Sequence, residues 1–145
     1  MQTSVRGTQS VVKNQHDRPT CVAFAVTALH EHAYDVLKGL KKTAEVDLSE
    51  EFLHYHCKQR DGLGANSTGT TVSAASASLG TDGQSLETLC PYQPSPPKAN
   101  LGPPTHIAVA DGKTRLLFGL QRLKLSLSSV RGSLRLSSIT LLSLT

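Results

Sequence analysis

Five of the chain's seven prolines fall in one run, QPSPPKANLGPP, residues 93 to 104. Proline lacks a backbone N–H and fixes φ, so such a run supports neither a helix interior nor a sheet ladder. It reads as a crossover or linker that divides the 145 residues into a longer N-terminal part and a shorter C-terminal one. The two sides differ in texture, which limits the fold to a helical unit followed by something else.

Before the run the apolar spacing is helical. Ala25, Ala28, Leu29, His32, Val36, Leu37 and Leu40 recur at three- and four-residue steps, predicting a helix that starts after Pro19 and ends near Gly39. LSEEFLHYHC predicts a second helix with Ser49 as N-cap and Glu50 and Glu51 facing the positive end of its dipole. Leu48 and Leu53 occupy the positions of a hydrophobic staple. RDGLGANSTG is a loop, and TVSAASASLG a short third helix whose small residues suit close packing. Val11–Val12 suggests a short strand in an otherwise polar N-terminus.

Beyond the run Leu123, Leu125 and Leu127, then Leu134 and Leu136, alternate with polar residues, the period of a half-buried strand. The Leu/Ser/Arg composition of residues 113–145 leaves two readings open. One is a β-hairpin turning at Arg131–Gly132; the other is a disordered tail of the kind a truncated or out-of-frame sequence yields. This tail holds six basic residues and no acid, so the remaining 112 residues carry nine bases against 11 acids. The net +4 charge therefore belongs to the tail. The tail has no helical basic face and no Trp or Tyr to stack on bases, so neither nucleic acid nor a membrane is expected as a partner. No stretch approaches a membrane span. MQTSVRGTQS has no apolar run of the kind a signal peptide needs, which makes the cytoplasm the default expectation.

Cys21, Cys57 and Cys90 are an odd number of cysteines, with no C-x-x-C pair and no disulfide partner evident; neither a metal nor a cofactor is expected. Cys21 opens the first helix, and a helix N-terminus favours a thiolate placed there. A thiolate attacking an amide creates an oxyanion, for which a preceding side-chain amide such as Gln15 is a suitable donor. Taken alone, Cys21 reads more readily as a buried structural cysteine than as a nucleophile.

NQ-x5-C-x-A-F, residues 14 to 24, resembles the active-site segment of the papain-like cysteine peptidases, and RPTCVAFAVTALHE is similar to bacterial members in particular. LSEEFLHYHC is similar to the start of that family's second helix. Asp61-Gly62, Gly69, Ala75, Leu79, Gly83, Glu87 and Pro91-Tyr92 follow its next block in order. The resemblance covers about residues 10 to 93. It implies Cys21 as nucleophile, Gln15 as oxyanion donor, and peptide-bond hydrolysis through a thioester. The 61–69 loop would then line the substrate cleft. Two positions depart from the pattern: Arg18 stands where the family has a further cysteine, and Val22 where it has tryptophan.

The same resemblance implies a histidine and an asparagine roughly 130–150 residues after the nucleophile, beyond the chain's last residue. None of the six histidines replaces that pair well. His16 neighbours the oxyanion loop, His30 and His32 lie on the nucleophile's own helix, and His54 and His56 lie on the second. His106, in THIAVADG, is similar to the family's histidine-bearing strand, but it comes too soon and no asparagine follows it.

The expectation is an α+β chain. Residues 1–93 form the helical, nucleophile-bearing lobe of a papain-like fold, 94–112 a Pro-rich crossover, and 113–145 an incomplete β part. The expected function is that of a cysteine-type endopeptidase acting on peptide or protein substrates, in a truncated and weakly active or inactive form. The alternative is a noncatalytic papain-like binding module.

Overall fold

The computed structural model describes residues 11–38, 46–64, 67–94 and 102–116. Four helices follow in chain order: α1 (Cys21–Lys38), α2 (Glu50–Lys58), α3 (Val72–Thr81) and α4 (His106–Lys113), with a 3-10 turn at Glu87–Leu89. Among the described residues no extended strand forms. Val11 and Val12, expected in one, are irregular and exposed. Leu48 and Leu86 make an isolated antiparallel bridge, supported by Ser49 N donating to Ser85 O and Glu87 N to Asp47 O, each at 2.9 Å. The alternation expected in the tail lies outside the described residues beyond residue 116.

Three helices begin on hydroxyl caps. Ser49 accepts from Phe52 N at 2.9 Å, Thr71 from Ala74 N at 3.1 Å and Thr105 from Ala108 N at 3.2 Å. Each bond satisfies one of the N–H groups that a first turn leaves without a carbonyl. Leu48 and Leu53, flanking the Ser49 cap, are both fully buried, as a staple requires.

α1, α2 and α3 pack on one another around Val26, Ala33, Leu53, Cys57, Ala74, Ala75 and Leu79. Alanine and serine on the buried face of α3 allow its backbone close to its neighbours. Two glycines admit α4: Gly83 lies at φ +69°, and a Cβ there would sit 2.0 Å from Gly112 O. A Cβ on Gly112 would in turn meet the Phe52 ring at 2.7 Å. Asp111 accepts from Leu86 N at 2.9 Å, and Lys113 donates to Thr81 O, fastening α4 to the end of α3.

The interior also holds polar groups, several of them joined into networks. Fully buried Gln84 donates to Thr27 Oγ1 at 2.6 Å and to Ser49 O at 2.8 Å, while its Oε1 lies 2.9 Å from His30 Nδ1. Because Oε1 only accepts, His30 carries its proton on Nδ1. Near the N-terminus Lys13 Nζ meets Asp47 at 2.5 Å, Glu50 at 3.0 Å and Glu31 at 3.4 Å, and donates to Leu48 O at 2.9 Å. Burial would lower the pKa of Lys13, but the hydrogen bonds to Asp47 and Glu50 raise it further and keep it cationic. Burial pushes Glu50 up to about 7 against the pull of Lys13.

Candidate functional site

Cys21 is the first residue of α1 and is exposed. The first hydrogen bond of that helix runs from Phe24 N to Thr20 O at 3.1 Å. The N–H of Cys21 therefore precedes the intrahelical ladder. The hydroxyl of Thr20, the residue before α1, lies 2.9 Å from Tyr92 Oη. Tyr92 donates its single hydroxyl proton to Gln15 O at 2.7 Å, which leaves Thr20 as donor to the tyrosine oxygen.

The segment before Cys21 folds back on itself. Asn14 Oδ1 accepts from His16 N at 2.8 Å, and His16 takes φ +53°, the left-handed region in which His is among the more tolerant residues. The Arg18 carbonyl then accepts from Thr20 N at 2.8 Å and from Gln15 Nε2 at 3.1 Å. A side-chain amide has two N–H bonds. One is thereby directed at Arg18, which fixes the amide three residues before Cys21 and leaves the second N–H for another acceptor.

Arg18, at the place of the cysteine that the family pattern would supply, is buried. It forms a forked ion pair with Glu51 of α2, and Nη1 also donates to Gln93 O at 2.6 Å. Its guanidinium lies 4.9 Å from the centre of the Tyr92 ring, which packs edge-on against Phe24 with centroids 4.9 Å apart. Cation, carboxylate and ring thus bind the loop to both α1 and α2. The sequence offered Glu51 only as a dipole-complementing acid and Tyr92 only as part of a Pro-Tyr match; their joint role depends on contacts across 33 and 77 residues.

No hydrogen bond among the described residues joins Cys21 to a histidine. His30 and His32 lie nine and 11 residues further along α1, roughly 13–17 Å up the axis. His54 is fully buried on α2, with neither ring nitrogen hydrogen-bonded, and burial lowers its pKa to about 4. His56 faces Asp82 at 3.4 Å, and burial outweighs that acid in lowering its pKa. His16 is exposed. His106, expected by similarity on a strand, is the exposed first residue of α4, because Thr105 caps a helix whose Ala108 and Gly112 are buried one turn apart.

Two other features lie on α1 and after α2. A cleft of about 290 Å³ runs along α1 past Phe24, Ala25 and Ala28, between Val11–Val12 and the acids Glu31 and Glu50. Phe24, Ala25 and Ala28 lie three, four and seven residues after Cys21 on α1, but neither Cys21 nor Gln15 lines the cleft. The 61–69 loop is fastened by Lys58, which pairs with Asp61 at 2.6 Å and donates to Gly69 O at 3.0 Å.

Among the described residues no group of His, Cys, Asp and Glu is placed to hold a metal ion, and no helix is long and apolar enough to cross a membrane.

No protein-family profile matches the chain, and no curated protein matches it either. Among solved structures it is similar to xylellain, a cysteine protease from Xylella fastidiosa, with a TM-score of 0.63 at 17% sequence identity. The match covers 80% of this chain and 49% of xylellain, so this chain spans about half the length of that structure. At that identity the likeness is one of fold. It is consistent with the expected helical lobe, and no β part is shown among the described residues.

Proposed function

We propose that this chain carries the nucleophile half of a papain-like cysteine peptidase, with Cys21 as nucleophile and Gln15 as oxyanion donor. The observation that carries the reading is the exposed Cys21 at the start of α1, preceded by a loop that orients the Gln15 amide through the Arg18 carbonyl. The Cys21 thiolate attacks the carbonyl carbon of a peptide or protein substrate, forming an S–C bond as the carbonyl π pair moves to oxygen. That oxygen accepts from the free N–H of Gln15 and from Cys21 N–H. The C–N bond then breaks, the amine leaves with a proton, and water cleaves the thioester to an acid and the free thiol. Proton transfer in these steps needs a general base and acid, and no described histidine is bonded to Cys21. The chain alone is therefore a weak or inactive catalyst.

The test uses an activated peptide ester, whose leaving group departs without a proton. Mass spectrometry is expected to find an acyl group on Cys21, absent in Cys21→Ala and slower to form in Gln15→Ala. Acylation at Cys57 or Cys90 instead would overturn the reading.

A second reading, a noncatalytic papain-like binding module, is favoured by the exposed apolar side chains of Val11 and Val12, which line the cleft along α1. A well-folded protein that takes up no acyl group but binds peptides with Cys21 replaced would decide for it.

A further inference from the structure

We infer that Tyr92 is the positioning residue of this site: its hydroxyl sets the Gln15 amide relative to Cys21. The inference rests on the reading of Cys21 and Gln15 given above. One oxygen ties down both ends of the loop, donating to Gln15 O at 2.7 Å and accepting from Thr20, the residue before Cys21, at 2.9 Å. The distance between oxyanion donor and nucleophile is thus spanned by a single rigid group from 72 residues further along the chain.

The ring that carries this hydroxyl is itself fixed. Phe24, on the turn after Cys21, meets it edge-on, and the buried Arg18 guanidinium lies over its face. Arg18 is held by Glu51 and by the carbonyl of Gln93, next to Tyr92. The carbonyl that orients Gln15 and the hydroxyl that clamps it therefore answer to one assembly. Within the loop, His16 keeps a left-handed backbone that a side chain rarely adopts, so the conformation needs support from outside. Tyr92 supplies it at the two residues that flank the turn.

If Tyr92 only packed, phenylalanine would replace it, because both ring contacts survive the change. The experiment compares two reactions at the same sulfur in Tyr92→Phe, Gln15→Ala and the double variant. A peptide aldehyde adds to Cys21 as a hemithioacetal, the S–C bond forming while the thiol proton ends on the former carbonyl oxygen, where the oxyanion donors act. Iodoacetamide alkylates Cys21 by displacing iodide and develops no such oxygen. Tyr92→Phe is expected to weaken the aldehyde adduct roughly tenfold, within the cost of a misplaced catalytic donor, and to affect alkylation far less. In the Gln15→Ala background it is expected to weaken the adduct no further, because the two changes act through one group. Additive losses, or equal losses in both reactions, would overturn the positioning role and leave the Cys21–Gln15 reading standing. A wild-type chain that forms no Cys21 adduct would overturn both.

Discussion

Arg18 and Glu51 close the gap between the site loop and α2 as a forked pair, with Nη2 donating to Oε1 at 3.0 Å and Nη1 to Oε2. Both residues are buried, and Arg18 is 1% exposed. Burial opposes the charge on Arg18, while the hydrogen bond to Glu51 restores and exceeds it. Removing one member strands the other. Glu51→Ala is expected to cost about 3–5 kcal/mol in urea denaturation, whereas replacing both residues with apolar ones of similar volume costs much less. A loss below about 1 kcal/mol for Glu51→Ala would place the pair in the class of solvated surface bridges.

Acid is expected to destabilise the fold through histidine. Burial lowers both His30 and His54 from 6.5 to about 4. Between those values the unfolded chain binds more protons, so stability rises with pH across that window and is lost as pH falls toward 4. Glu50, raised to about 7, acts in the opposite sense, its contribution being lost as pH rises through that value. The histidine share is isolated in His54→Leu, which removes two ring nitrogens that lack hydrogen bonds. This variant is expected to gain relative to wild type as pH drops from 7 to 5; parallel stability curves would contradict the assignment.

The three thiols are expected to separate by reactivity. Cys21 is exposed, Cys57 fully buried with its thiol pushed up to about 11, and Cys90 half-buried and raised, in both cases by burial first. A disulfide reagent at neutral pH should show one fast thiol per chain, missing in Cys21→Ala. Cys57 should react only as fast as the protein unfolds.

Gly83 and Gly112 face each other where α4 meets the end of α3. Gly83→Ala combines a left-handed backbone with a Cβ 2.0 Å from a carbonyl oxygen. It is expected to cost about 2–4 kcal/mol, with proteolysis or hydrogen exchange rising first in α4. Unchanged protection of α4 would mean that it is held elsewhere.

Helices whose signals are local were legible in the sequence. Ser49 with its following acids, and the three- and four-residue spacing after Cys21, announce α2 and α1 without help from distant residues. α4 was missed because His106 suggested a strand and the preceding prolines suggested a linker. Thr105 as a cap and the buried Ala108/Gly112 pair were the available signals. Val11–Val12 has β-favouring residues but no partner strand among the described residues, so propensity had nothing to pair with. At the candidate site the resemblance of the Asn14–Phe24 segment to the papain-like peptidases is what suggested Cys21 and Gln15. What orients them could not be read that way, since Tyr92, Arg18 and Glu51 converge only in three dimensions.

Gln84 has a consequence for how this core finds its alignment. Apolar contacts such as those among Val26, Leu53 and Cys57 are non-directional, whereas those of a buried amide are not. The buried amide of Gln84 has a donor end and an acceptor end, matched to Thr27 and Ser49 O on one side and His30 on the other. A slide of α1 by one turn would leave those buried partners unmatched, at about 1–3 kcal/mol for each group. The amide acts as a key between helices: it admits one alignment of α1 on α2, and so one direction for the Cys21 end of α1.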